Sequence, residues 1–92
     1  MALTFEWDRR KAASNLQKHG VSFEEAATAF GDPLSVTIHD PDHSEEEERF
    51  VILGRSETGR FLVVVHTEHG DTIRIISARL AKGHERKAYE EG

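Results

Sequence analysis

The side chains of this sequence best suited to chemistry are Lys18 and His19, His43 and Glu48, then Arg49, Arg60, Arg74, Arg79 and Tyr89. They are types that handle a phosphodiester. Cleaving RNA without a metal requires a base for the 2′-hydroxyl proton, an acid for the leaving 5′-oxygen, and cations for the charge of the phosphorane-like transition state. Arginine meets the last need with a planar fork that fits phosphate oxygens. His43, Glu48 or Tyr89 can meet the other two. Ordinary roles stay open beside these. Glu48 and Arg49 can form a cross-strand ion pair, His43-Ser44 can close a turn, and Tyr89 can lay its ring on a sheet.

Other chemistries lack their residues. The six histidines are scattered, with no HExxH and no cysteine, so no metal site is expected and no cofactor is called for. GxGxxG, Walker A and GxSxG patterns are all absent.

The elements that must position these groups follow from periodicity. Leu3 to Trp7 alternates as a short strand. Asp8 caps a helix that runs through Lys18 and ends at Lys18-His19-Gly20, with a thin apolar stripe of Ala12, Ala13 and Leu16. Ser22-Phe23-Glu24-Glu25 is a capping box opening a second helix, with Phe23, Ala26, Ala27 and Phe30 on one side, stopped by Gly31-Asp32-Pro33. From Leu34 the period becomes two. Strands are predicted over 34–39, 48–56, 60–67 and 71–79, with turns at Glu57-Thr58-Gly59 and His69-Gly70-Asp71. Leu80 to Glu91 reads as a closing helix with Gly83 near its first turn. The expectation is one α+β domain over residues 1–92, a small antiparallel β-sheet in β-α-α-β-β-β-β-α order with the helices on one face.

Parity then sorts the sheet. One self-consistent assignment puts Phe50, Ile52, Phe61, Val63, Val65, Ile73 and Ile75 beneath the helices. The opposite face holds Arg49, Val51, Arg60, Leu62, Val64, His66, Arg74 and Ile76, half arginine and half aliphatic, a composition that suits a partner better than water. Arg79 falls past the strand's end, at the junction with the last helix. It is the arginine best placed for catalysis, and Arg74 for contact with RNA or a partner.

Charge and length set bounds. The net charge of −5 is unevenly spread. Residues 1–20 carry +2, residues 21–48 hold nine acids and no Lys or Arg, residues 49–79 hold five arginines and no lysine against three acids, and residues 80–92 are neutral. Acid is confined to one block, and the predicted sheet is arginine-only. The acid block suits either a solvated loop or a basic partner segment. The 92 residues bury only about 60–65% of their unfolded surface, the marginal range in which a partner helps. No signal-peptide pattern opens the chain, and the longest apolar run, Phe61 to Val65, is too short to span a bilayer, so a cytoplasmic protein is expected.

The sequence resembles the BrnT family of type II toxin–antitoxin toxins. The stretches that carry it are Phe5-Glu6-Trp7-Asp8, Asn15 with Lys18-His19-Gly20-Val21-Ser22-Phe23-Glu24-Glu25-Ala26, Phe30 with Asp32-Pro33, Asp42-His43-Ser44 with Glu48-Arg49-Phe50, Gly54 with Ser56, Gly59-Arg60, Arg74 to Arg79, and Glu85-Arg86 with Tyr89-Glu90-Glu91. The resemblance implies an endoribonuclease with a RelE-like fold that inhibits translation and growth. It implies a BrnA-like antitoxin with a ribbon-helix-helix DNA-binding domain, neutralising the toxin in a hetero-oligomer that binds operator DNA. Carried over by position, Arg49, Arg60, Arg79 and Tyr89 become catalytic, with His43 and Glu48 as acid–base candidates; His19 shares that candidacy and, with Lys18, Arg74 and His66, is also assigned to RNA or antitoxin binding. Lys82-Gly83 departs from the pattern where a residue favouring helix entry would stand. A non-catalytic subunit that co-represses with a ribbon-helix-helix partner is the alternative; arginines locked in internal ion pairs would be its mark.

Overall fold

A computed structural model describes residues 2–40 and 47–91. The chain runs β1 (Thr4–Glu6), α1 (Arg9–His19), α2 (Phe23–Thr28) with a 3-10 turn at Ala29–Gly31, β2 (Val36–Asp40), β3 (Arg49–Arg55), β4 (Phe61–His69), β5 (Thr72–Leu80) and α3 (Gly83–Glu91). The sheet order is β1-β5-β4-β3-β2.

The α+β class and the element order agree with the sequence reading, but the sheet is mixed. Strands β2 to β5 form the antiparallel meander, while β1 pairs parallel to β5 through Thr4–Thr72, Phe5–Ile73 and Glu6–Arg74. The helical hairpin carries the chain across the sheet, so β1 and β2 end on opposite edges.

Local chemistry sets the helix ends. Asp8 accepts from the Arg10 and Lys11 amides at 2.8 and 3.1 Å. Gly20 takes the left-handed conformation at φ 69°, and its N–H reaches the Leu16 carbonyl. Ser22 Oγ accepts from the Glu25 amide at 3.0 Å. The predicted capping box is half made, because the Glu25 carboxylate is taken by Arg60, Ser56 and Thr58 instead.

The core lies between α2 and the sheet. Val21, Phe23 and Ala26 pack on Ile52, Leu62, Val64, Ile73, Ile75 and Ala78. Phe23 is fully buried, worth about 1.5–3 kcal/mol relative to exposure. Trp7 meets its ring edge-on at 6.0 Å. Gly54 lets β3 approach the 3-10 turn: a Cβ there would sit 2.9 Å from the Ala29 carbonyl oxygen.

Helix α1 uses only part of the stripe expected of it: Ala12 packs against the core, while Ala13 is exposed. Leu16 is exposed, and Asn15 is the residue it buries. The Asn15 amide donates to the Val21 and Ala78 carbonyls at 2.9 and 2.8 Å, and its oxygen accepts from the Ala78 N–H at 3.1 Å. Strand β1 covers only Thr72–Arg74 of the β5 edge. The Asn15 side chain does for Ala78 what a neighbouring peptide group would do.

The face assignment of β4 is reversed. Ile52 pairs with Val64 and Phe50 with His66, so Leu62, Val64 and His66 lie beneath α1 and α2. Phe61, Val63 and Val65 belong to the opposite face with Val51 and Leu53. Two causes produce this. Strand β4 is apolar on both sides, so its alternation has no sign, and the turn sets the register through the Ser56 amide bond to the Arg60 carbonyl at 2.7 Å. A bulge between Val65 and His66 also leaves Ile76 unpaired on β5, so Ile75 and Ala78 face the same side. Helix α3 lies on the face away from α1 and α2, against Phe61. The expectation of all helices on one face fails there.

Candidate functional site

Phe61 is the hub of an arginine cluster at one end of the open face. Arg86 of α3 lies 4.7 Å from its ring centroid and Arg55 of β3 lies 5.7 Å away. Tyr89 meets the ring edge-on at 5.0 Å. Arg60 and Arg86 line a shared hollow of about 250 Å³ with Gly59, Phe61, Leu80 and Ala81. Arg79, paired across the sheet with Val63, donates to the Leu80 carbonyl at 3.2 Å. Cations thus arrive from β3, the turn before β4, β5 and α3.

Carboxylates hold two of these arginines. Arg79 makes a two-pronged pair with Glu85, at 2.8 and 2.9 Å, and Glu85 also accepts from the Lys82 amide at 2.8 Å. Arg60 Nε donates to Glu25 Oε2 at 2.9 Å, its Nη2 binds Glu25 Oε1, and the same Nη2 reaches the Gly20 carbonyl at 3.0 Å. Ser56 and Thr58 hydroxyls complete the Glu25 shell at 2.8 and 2.6 Å. Hydrogen bonding from its arginine holds each carboxyl down at about 2, and raises Arg60 and Arg79 in return.

Tyr89 closes the cluster. Its hydroxyl donates to Asp32 Oδ2 at 2.6 Å, and Asp32 also accepts from the Arg55 and Leu34 amides at 2.8 and 2.9 Å. Burial opposes ionisation of Asp32, but these bonds outweigh it and lower its pKa. The Asp32 bond raises the Tyr89 pKa, which keeps the phenol protonated. At neutral pH the cluster offers guanidinium groups, an ionised Glu85 and a protonated Tyr89.

The expected site residues therefore fall into separate groups. Arg79 and Tyr89 come together through α3 beside Phe61, and Arg60 borders the same end of the sheet through the hollow it shares with Phe61 and Arg86. Arg60 does not stand on the open face with Arg49 and Arg74 but turns to α2 and Glu25. Arg79 is the penultimate residue of β5 rather than past its end. Arg49 lies at the other end of β3, six residues from Arg55 and about 20 Å away. Glu48 is exposed beside His39, at 3.9 Å. Arg74 pairs with Glu6 at 3.0 Å. His66 is fully buried, with Nε2 2.9 Å from Glu68 Oε2 and its ring against Phe30, and cannot meet RNA or a partner. His43 lies outside the described residues. Lys18 and His19 line a groove of about 350 Å³ between α1 and β5, with Arg10, Lys11, Ile76 and Ser77.

Sequence reasoning missed Arg55, Arg86, Glu85 and Glu25. The signals for Arg86 and Glu85 were their proximity to Tyr89 on one helix and their place in a stretch that carries the family resemblance. Among the described residues no three His, Asp or Glu side chains gather as metal ligands, and no helix is long and apolar enough to cross a membrane.

Comparison with known proteins adds two findings. The family model described as "Ribonuclease toxin, BrnT, of type II toxin-antitoxin system" matches residues 7–85. The 1.1 Å crystal structure of the Brucella abortus ribonuclease toxin BrnT shares the fold, with TM-score 0.63 and 20% identity over 88% of this chain and 99% of that one. The search of curated protein sequences gives no match. The match over residues 7–85 settles the family: the chain belongs to the BrnT ribonuclease toxins of type II toxin–antitoxin systems.

Proposed function

We propose that this toxin cleaves RNA at the cluster around Phe61, without a metal ion, in the cytoplasm, and that a BrnA-like ribbon-helix-helix antitoxin neutralises it. The observation that carries the reading is the convergence of Arg55, Arg79 and Arg86 at one end of the sheet, with Arg60 on the rim of the hollow beside Phe61, next to an ionised carboxylate and a protonated phenol. Among the described residues Arg55 and Arg86 form no ion pair, although Asp32 lies within electrostatic reach of Arg55, and both guanidinium groups are placed to take a phosphate. When Arg79 turns to that phosphate, Glu85 loses the partner that lowers its pKa and becomes a better base. Glu85 then takes the 2′-hydroxyl proton as the 2′-oxygen bonds to phosphorus. The 5′-oxygen leaves with the Tyr89 proton, and the product is a 2′,3′-cyclic phosphate.

The co-repressor reading has one specific support: Arg60 and Arg79 do sit in internal ion pairs. The two readings part in one experiment. Purified chain is mixed with a labelled RNA, with and without EDTA, beside Arg86→Ala and Glu85→Gln. Cleavage that survives EDTA and drops at least tenfold in both variants supports catalysis here. RNA left intact by the folded wild-type chain refutes it.

A further inference from the structure

The groove between α1 and β5 stands apart from the Phe61 cluster, and its charged lining is all basic. Arg10, Lys11, Lys18 and His19 line it above a floor of Ile76 and Ser77, and no carboxylate contributes to its walls. Arg10, Lys11 and Lys18 form no ion pair among the described residues, unlike Arg60, Arg74 and Arg79. Lys11 and Lys18 lie seven residues apart, two turns along one side of the helix. The helix dipole accounts for Lys18 and His19, which sit in the last turn, where cations are favoured. It does not account for Arg10 and Lys11. They occupy a first turn that contains no acid, where the dipole disfavours cations. The chain as a whole is acidic, at −5, so this is a local concentration of positive charge, with the Asp8 cap as the acid that Lys11 feels.

The groove also leads to the cluster. His19 is followed by Gly20, whose carbonyl holds Arg60 Nη2 at 3.0 Å, and Arg60 lines the hollow beside Phe61. From Ser77 to Leu80 along the β5 edge is about 10 Å. Past Arg74 that edge pairs with no strand among the described residues, and Asn15 of α1 takes the Ala78 groups.

We propose that the α1–β5 groove is a second nucleic-acid subsite, which takes the sugar–phosphate backbone of the RNA strand a few nucleotides from the bond that is cut. It rests on the ribonuclease reading for the identity of the strand. Lys11 and Lys18 are point charges for phosphates, and Arg10 adds a fork. Recognition of this kind reads charge and spacing, not sequence.

The probe is a fluorescein-labelled 2′-O-methyl decaribonucleotide, which binds but cannot be cleaved, followed by anisotropy from 50 to 200 mM KCl. Lys11→Ala/Lys18→Ala is compared with Arg9→Ala/Lys87→Ala, which removes equal charge from exposed positions outside the groove; circular dichroism checks that both fold. Each lost single-strand phosphate contact lowers the log–log salt slope by about 0.7, so the groove variant should lose about 1.4. Over that fourfold salt range its affinity deficit then shrinks about sevenfold, while the control tracks wild type. Equal slopes in the two double variants overturn the groove. So does a groove variant that binds the probe normally but escapes its antitoxin, which makes the surface a protein contact. Groove-dependent binding of the probe with intact natural RNA supports the subsite and refutes cleavage; cleavage without groove dependence does the reverse.

Discussion

Replacing Asn15 with alanine strips three hydrogen bonds from one buried point. The Ala78 N–H, the Ala78 carbonyl and the Val21 carbonyl lose their partner together. A buried polar group left unpaired costs about 1–3 kcal/mol, and water entering the small void recovers part of that. A net loss of about 3 kcal/mol follows, a large share of the 5–15 kcal/mol available to a domain. At this size it lowers Tm by about 12–24 °C. Asn15→Asp is the sharper test, because volume is kept and only donors are lost. Aspartate can still accept from Ala78 N–H, but its second oxygen faces two carbonyls at 2.8–2.9 Å in a buried place. It should be at least as destabilising as alanine at pH 7 and recover as the pH falls and the carboxyl protonates. Urea unfolding followed by circular dichroism measures both. A loss below about 0.5 kcal/mol for Asn15→Ala, or an Asn15→Asp chain as stable as wild type at pH 7, would refute the edge-capping argument.

Other perturbations test the rest. Glu25 and Glu85 have folded pKa values of about 2 against an ordinary 4.5. Because the folded value is the lower, their contribution is full above about 4.5 and is lost as pH falls towards 2. Urea midpoints from pH 6 to 2.5 should fall for wild type and fall less for Glu25→Gln; identical slopes would contradict the Arg60 pairing. Gly54→Ala should cost about 1–3 kcal/mol, since the added carbon meets a backbone oxygen that cannot swing away. Tyr89→Phe keeps the ring on Phe61 but drops the Asp32 bond, and amide exchange in 83–91 should quicken while β4 and β5 stay protected; unchanged exchange would mean that the hydroxyl does not hold the helix.

Much of the architecture was legible because local signals agreed. Asp8, Gly20 and Ser22 announce helix ends by chemistry that acts within a turn, and all three do what their types suggest. Every strand lies within a few residues of its predicted place because alternation or an unbroken apolar run marks it. What failed depends on distance in space. No alternation reveals which side of β4 is inside when both are apolar, and no pattern marks the bulge at Ile76. Asn15 reads as a polar residue on a wet face until β5 is placed beside it. The site divides the same way. Arg60, Arg79 and Tyr89 were found by type, but a carboxylate such as Glu25, part of a capping signal, becomes the anchor of Arg60 only once β4 is in register. Chemistry and the family resemblance group Arg49 and Glu48 with them, and a strand's length keeps them apart.

Helix α3 buries no residue of its own. Its ties to the body are the Arg79–Glu85 pair, the Tyr89–Asp32 bond and the stacking of Arg86 and Tyr89 on Phe61. At such exposed places the Arg86 and Arg79 contacts are each worth on the order of 1 kcal/mol or less. The helix is thus attached like a clip, able to lift while the sheet stays folded. Glu85, Arg86 and Tyr89 leave with it, so one small opening dismantles half the cluster and bares Phe61. Whether the cluster is assembled is then set by the occupancy of the nine residues of α3, independently of the stability of the rest of the fold.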